Sequence, residues 1–230
     1  MNLPDLSSGG RNSSAHLLVM AKTPVPGRVK TRLCPPCTPV EAATVARAAL
    51  LDTLDAVATC GADRKVIALD GDVPHWLPEG FEVIAQCTGP FDRRLAAAWV
   101  SAGPRGVQIG MDTPQVTTAD LDSLLAAVRS GSGRAVLGPA TDGGWWAIGL
   151  SGADPQRVFE GIPMSTAETG ARQRARLESS GLHVRLATEL RDIDTIDDLC
   201  VVARQFPHLR TAAVARQIIG RTSGAVRATT

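Results

Sequence analysis

The sequence predicts an α/β fold in three layers, a mostly parallel sheet with helices on both faces. Three observations predict it. Apolar runs of strand length alternate with segments of helical period from His16 to Ile219. Capping pairs mark the starts of several of those helices. Neither an internal repeat nor a linker interrupts residues 16–219, so a single domain is expected there.

Residues 1–15 are polar and rich in Ser, Gly and Asn, which reads as a disordered leader. Leu17 to Met20 is an apolar run of strand length, followed by a loop from Lys22 to Cys37 that Pro and Gly punctuate. Thr38 can cap a helix, Pro39 fits its first turn and Glu41 can close a capping box. Val45, Ala49, Leu50, Leu54 and Val57 continue it at helical spacing. Lys65 to Leu69 is the second strand and Glu82 to Ala85 the third. A helix follows over Arg93 to Val100, then a fourth strand over Val107 to Gly110. Thr117 and Asp120 form another capping box, with Leu121, Leu124, Leu125 and Val128 behind it. Ala135 to Leu137 is the fifth strand, and Trp145 to Leu150 the sixth, after the tight turn Asp142-Gly143-Gly144. Ser165 and Glu168 are expected to cap a helix, Val184 to Leu186 to form a short strand, and Thr195 and Asp198 to open a further helix. An amphipathic helix over Ala212 to Ile219 closes the domain, and residues 220–230 read as a flexible tail.

Composition narrows the function. The chain has 230 residues, with 44% hydrophobic and 20% charged, the balance of a globular core with a solvated face. A net charge of +1 gives no field to hold nucleic acid or anionic lipid. Aromatic content of 3%, with no Tyr, argues against a base-stacking surface. No apolar run approaches a membrane span, so a cytoplasmic protein is expected. The five Cys suit a reducing compartment, and Cys34 and Cys37, separated by two prolines, read as loop thiols. His16, His75, His183 and His208 have neither ligand spacing nor a nucleophile beside them.

In parallel sheets ligands bind beyond the carboxyl ends of the strands, so the loops there carry the argument. The first places Lys22, Arg28, Lys30 and Arg32 within eleven positions. Lys offers point charge, Arg a bidentate fork, and backbone N–H groups near Gly27 can face oxygens, a combination that suits phosphate. The second, Gly110-Met111-Asp112-Thr113-Pro114, sets an acid at the rim, where Asp112 can hold Mg²⁺ or Mn²⁺ through oxygen. The third, Asp142-Gly143-Gly144-Trp145-Trp146, allows close backbone approach to an acceptor, with one Trp lining its pocket; a plain hairpin with two packing Trp residues is the competing explanation. The fourth holds Asp192 and Asp194 on one face of an extended segment, and either can be the second metal carboxylate.

Taken in order, these motifs resemble a bacterial family of glycosyltransferase-A-like proteins labelled radical-SAM/selenodomain-associated transferase 1. The matching stretches are Lys22-Thr23-Pro24 through Leu33, Gly110 to Pro114, Gly138 to Gly144, Ile162 to Thr166, and Asp192 to Thr195. Lys30-Thr31-Arg32-Leu33 and Asp142-Gly143-Gly144 are more distantly similar to the phospholactate guanylyltransferases, and the layout to the molybdenum-cofactor nucleotidyltransferases. The resemblance implies a nucleotide-diphospho-sugar-transferase (GT-A-like) fold, a metal acid at Asp112, phosphate contacts from Lys22, Arg28, Lys30 and Arg32, and an acceptor loop at Asp142 to Gly144.

The expected activity is metal-dependent transfer from a nucleoside triphosphate or nucleotide-sugar donor to a small acceptor. Asp112 and Lys30 would act at the reacting centre, with Asp112 and Asp194 on the metal. Glycosyl and nucleotidyl transfer fit equally, and a non-catalytic nucleotide-binding module is the alternative. Base, acceptor, product and oligomeric state are not legible.

Overall fold

The computed structural model describes residues 14–227, with side chains described to residue 221. Its strands are β1 His16–Lys22, β2 Arg64–Asp70, β3 Glu82–Ala85, β4 Arg105–Gly110, β5 Arg134–Pro139, β6 Trp145–Ser151 and β7 His183–Leu186. Its helices are α1 Pro39–Thr59, α2 Phe91–Ala102, α3 Thr118–Arg129, α4 Pro155–Phe159, α5 Thr169–Ser179, α6 Ile196–Gln205 and α7 Arg210–Arg227. The strands form one sheet in the order β3-β2-β1-β4-β6-β5-β7. Only β6 runs antiparallel, against β4 on one side and β5 on the other. β1, β4 and β5 therefore end at one rim, and β6 starts there. None of the described helices is long and apolar enough to cross a membrane.

Period-two alternation divides the core in two. Leu17, Val19, Ile67, Val107 and Ile109 point to the face covered by α1 and α3. Leu18, Met20, Val66, Leu137 and Ile148 point to the face covered by α2, α4 and α5. A third cluster joins α1, α6 and α7 around Val45, Leu199 and Ala212, and it also buries Leu33 and Ile193. It thus anchors two loops of the strand rim.

The capping boxes at Thr38/Glu41, Thr117/Asp120 and Thr195/Asp198 are all present, with both reciprocal bonds. Three expectations need correction. Ala15 does not belong to a disordered leader: it is 1% exposed, and its N–H donates to the Asp63 carboxylate at 2.8 Å. Residues 1–13 and 228–230 lie outside the described residues. Residues 220–227 continue α7 rather than starting a flexible tail. Ser165 does not cap α5; the helix starts at Thr169, whose hydroxyl donates to Pro163 O at 2.8 Å and accepts from Thr166 N–H at 3.1 Å.

Candidate active site

Four carboxylates reach one place from three loops because the segment 190–195 runs across the strand rim. Leu190 N–H donates to Pro139 O at 3.1 Å, and Thr141 N–H donates to Leu190 O at 3.0 Å, which ties the segment to the end of β5. Ile193 N–H donates to Asp112 O at 2.9 Å, and the Gln115 amide donates to Arg191 O at 2.7 Å, which ties it to the loop after β4. Arg191 then pairs with Asp198 at 2.7 Å, and the Thr195 box starts α6. Asp192 and Asp194 are thereby set beside Asp112 and Asp142.

Lys30 fills the centre of this acid cluster. Its side chain is only 7% exposed; Nζ lies 2.8 Å from Asp112 Oδ1 and 3.3 Å from Asp194 Oδ1. It also donates to Ile193 O. Arg32 Nη1 takes the other oxygen of Asp194 at 3.1 Å. Burial alone would lower the Lys30 pKa, but Asp112 and Asp194 outweigh it and hold the ammonium above the ordinary lysine range. Burial pushes the Asp192 carboxyl up to about 7; Asp112 and Asp142 add to the rise and Lys30 opposes it. Lys30 and Ser165, at φ 47° and 59°, are the two non-glycine residues with positive φ among the described residues. Each costs roughly 1–2 kcal/mol in that conformation, and such strain concentrates at functional sites.

Two cavities meet at this cluster. One, of about 320 Å³, is lined by Lys22, Arg28, Lys30 and Arg32, the four cations of the first loop, together with Asp112 and Asp194. The other, of about 480 Å³, takes in Asp142, Gly144, Trp145 and Asp192, with Met20, Phe91 and Gln108. Arg32, Asp112, Ser165 and Asp194 belong to both walls. A polyanion on the basic side and a second molecule on the other would thus face the same two carboxylates.

Several candidate residues stand differently from expectation. Lys30 is not an open phosphate ligand but a buried counter-ion to two carboxylates. Lys22 lies 3.9 Å from the Asp70 carboxylate as well as lining the basic cavity. Gly27 lines neither cavity. It sits at φ 77° in the turn that Arg28 N–H closes on Val25 O at 3.0 Å, and that turn explains the glycine. Gly143 also lines neither. A Cβ there would stand 2.1 Å from Ala167 O, and Gly143 O accepts from Gly170 N–H at 2.8 Å. It packs the 140s loop against the start of α5 rather than meeting an acceptor. Asp142 Oδ1 accepts from Gly144 N–H at 2.8 Å, which holds the turn. β5 and β6 do form a hairpin, yet Trp145 still lines the larger cavity.

Among the described residues, no group of three or more His, Cys, Asp and Glu is arranged to hold a metal. Mg²⁺ does not need one, since it is commonly bound by one or two carboxylates with phosphate oxygens and water. Asp112 and Asp194, with side chains 41% and 38% exposed, fit that pattern of hard oxygen donors opening on a phosphate-sized space.

Sequence reading missed Ser165, on both cavity walls, and Gln108. Gln108 lies between Val107 and Ile109 on β4 with 0% exposure, and neither its amide nitrogen nor its amide oxygen has a hydrogen-bond partner. Leaving such a group unpaired costs about 1–3 kcal/mol. Gln86 shows the ordinary arrangement: its Nε2 donates to Ala21 O and Ala68 O, both at 2.8 Å. The Trp145 indole N–H is likewise buried without a partner, whereas Trp146 Nε1 donates to Thr188 O at 2.9 Å. The signal for Gln108 was available: one polar residue inside an apolar strand.

A family model described as an uncharacterized protein conserved in bacteria (DUF2064) matches residues 44–166. No curated protein matches the chain. Among solved structures, a candidate nucleotide-diphospho-sugar transferase from Desulfovibrio desulfuricans G20 is 27% identical, with a TM-score of 0.78 over 89% of this chain and 95% of that one. Rv0371c from Mycobacterium tuberculosis H37Rv is 20% identical, with a TM-score of 0.53 over 82% and 97%. A CMP:2-keto-3-deoxy-manno-octonic acid synthetase solved with CTP is 13% identical, with a TM-score of 0.52 over 89% and 100%. The two lower identities speak to fold alone.

Proposed function

We propose that this chain, which belongs to the DUF2064 family, is a metal-dependent transferase moving a group from a nucleotide or nucleotide-sugar donor to a small acceptor. One observation carries the reading: Asp112 and Asp194 stand in the wall between a cavity lined by four cations and a larger one that is partly apolar. The likeness to a candidate nucleotide-diphospho-sugar transferase, at 27% identity over 89% of the chain, supports it. The finer label from the motif resemblance, radical-SAM/selenodomain-associated transferase, is part of the same proposal.

In this reading Lys22, Arg28 and Arg32 hold the donor phosphates. Lys30 fixes the two carboxylates, while the Lys22, Arg28 and Arg32 cations meet the charge that grows as the leaving group departs. Cations fixed beforehand stabilise that charge without reorganising. Asp112 and Asp194 would hold Mg²⁺ or Mn²⁺, which when bound neutralises phosphate charge. Asp142, Gly144 and Trp145 border the acceptor, and Asp192 is the nearby carboxyl able to take a proton. Glycosyl transfer releases a nucleoside diphosphate and nucleotidyl transfer releases pyrophosphate.

Thermal shifts with Mg²⁺ and a panel of nucleoside triphosphates and nucleotide sugars separate the two chemistries, since the true donor raises Tm increasingly as its concentration exceeds its Kd. Asp112→Asn is expected to fold and to lose Mg²⁺-dependent nucleotide affinity in calorimetry. Unchanged Mg²⁺-dependent affinity in that variant sinks the metal assignment. Arg28→Ala with Arg32→Ala should weaken triphosphate binding more than monophosphate binding; an equal loss speaks against contacts beyond the first phosphate.

A further inference from the structure

We propose that the larger cavity is specific for a neutral hydroxylated ring, whose buried end is read by Gln108 and the Trp145 indole N–H. The proposal rests on the reading of this cavity as the acceptor side and adds the chemical class of the acceptor.

Two buried polar groups on one cavity wall lack partners. The Gln108 amide is fully buried and unpaired at both ends, and Trp145 Nε1 is buried and unpaired. β4 and β6 are neighbours, with Gln108 opposite Ile148 and Trp145 at the start of β6, and both residues line the cavity. Buried polar groups in folded proteins are overwhelmingly paired; of the residues here with an unpaired buried polar atom, which also include His16, Arg94, Trp99, Gln115 and Gln173, Gln108 and Trp145 are the ones that line this cavity. An apolar residue at 108 would suit its surroundings, because Leu18, Met20 and Ile148 point to the same face. A ligand that arrives with its own polar atoms accounts for both.

The groups define that ligand. The Gln108 amide offers two donors and an acceptor, and the indole offers one donor. Hydroxyls both give and take, so a ring that carries several of them can match Nε2 and Oε1 with some and the indole N–H with another. A phosphate does not fit this end. The cations line the other cavity, Arg32 sits on the shared wall, and Asp112, Asp142, Asp192 and Asp194 would repel an anion. Met20, Phe91, Leu95 and the Trp145 ring supply an apolar flank for the C–H face of a ring.

Gln108→Leu and Trp145→Phe test this, with glucose and myo-inositol as probes, glucose 1-phosphate as the charged comparison, and intrinsic Trp fluorescence and Tm as readouts. Free Gln108→Leu should melt about 2–4 °C above the natural protein, because an unpaired amide is removed. It should bind the neutral rings at least about tenfold more weakly. Trp145→Phe keeps the aromatic flank and should weaken the same rings several-fold, which keeps the test open if Gln108→Leu fails to fold. Three results overturn the proposal: no response of the natural protein to either neutral ring, a response that survives in both variants, or a Gln108→Leu protein that melts lower. Mg²⁺-nucleotide affinity, measured on the same samples, should be unchanged in Gln108→Leu. Its absence from the natural protein would sink the transferase reading while leaving the ring pocket testable.

Discussion

At the scale of single residues, the polar groups far from the cavities have their own consequences. His16 opens β1 at 2% exposure and meets Trp99 edge-on, with ring centroids 4.8 Å apart. Its neighbour across the sheet is Gly106, where an added Cβ would stand 2.5 Å from the imidazole. Burial first and the Arg64 charge second hold the His16 pKa down at about 4, against 6.5 ordinarily. Between those values the unfolded chain binds a proton that the native imidazole refuses, so stability falls as pH drops through the window. The loss should approach about 3 kcal/mol by pH 4. The gap between urea midpoints of the natural protein and His16→Phe measures it, and that gap should shift in favour of His16→Phe by most of this amount from pH 7 to pH 4.5. A variant with the same slope would assign the acid sensitivity elsewhere. Nothing in the spacing of the four histidines foretold this, because the burial comes from pairing across the sheet.

At the scale of elements, two glycines separate strain from contact. Both Gly27 and Gly143 have positive φ, at 77° and 88°. A Cβ at Gly27 meets open space, while one at Gly143 runs into the Ala167 backbone at 2.1 Å. Gly27→Ala should therefore cost about 1 kcal/mol, the conformational penalty alone. Gly143→Ala should cost more than about 3 kcal/mol, since neither loop can move without breaking the Gly170 bond. Denaturant midpoints compare them; equal losses would mean that the two loops shift freely. Sequence reading saw both glycines and assigned both to ligands, because a glycine that spares a turn and one that admits a neighbour look alike. The capping boxes at Thr38, Thr117 and Thr195 were legible because each closes within four residues. The reversal of β6 was legible in the tight turn Asp142-Gly143-Gly144 and in the hairpin weighed there, which β5 and β6 do form. The Ser165 cap failed because the Thr166 and Thr169 hydroxyls, bonded to each other and to Pro163, set the helix start one turn later.

For the whole molecule the decisive feature is charge separation within a chain of net charge +1. Cations from the β1 loop line one cavity and acids from three later loops line the other, with Arg32, Asp112 and Asp194 on the shared wall and Lys30 buried at the boundary. Convergence of Lys30 with Asp112 was foreseeable from the rule that parallel strands present their sites at one rim. Its burial between carboxylates was not, because it requires the left-handed turn at Lys30 and the path of 190–195, neither written in the motif. Lys30→Met removes the buried cation and leaves Asp112, Asp142, Asp192 and Asp194 to repel one another. Lys30 is the group that opposes the rise of the Asp192 carboxyl, so without it Asp192 should rise further and the folded state binds more protons than the unfolded chain. Stability must then fall as pH rises. In the natural protein Asp192, whose carboxyl is raised from 3.8 to about 7, already contributes a slope of this sign between pH 4 and 7, opposite to that of His16, so each is read as the difference between the natural protein and its own variant. In Lys30→Met the loss should reach about 3 kcal/mol at pH 8, shrink toward pH 5, and be partly reversed by Mg²⁺ if the freed carboxylates take the ion. Urea midpoints at the two pH values, with and without Mg²⁺, decide it. A variant indifferent to both would mean that the four acids do not act as one charged cluster, and the two-cavity account of this site would lose its centre.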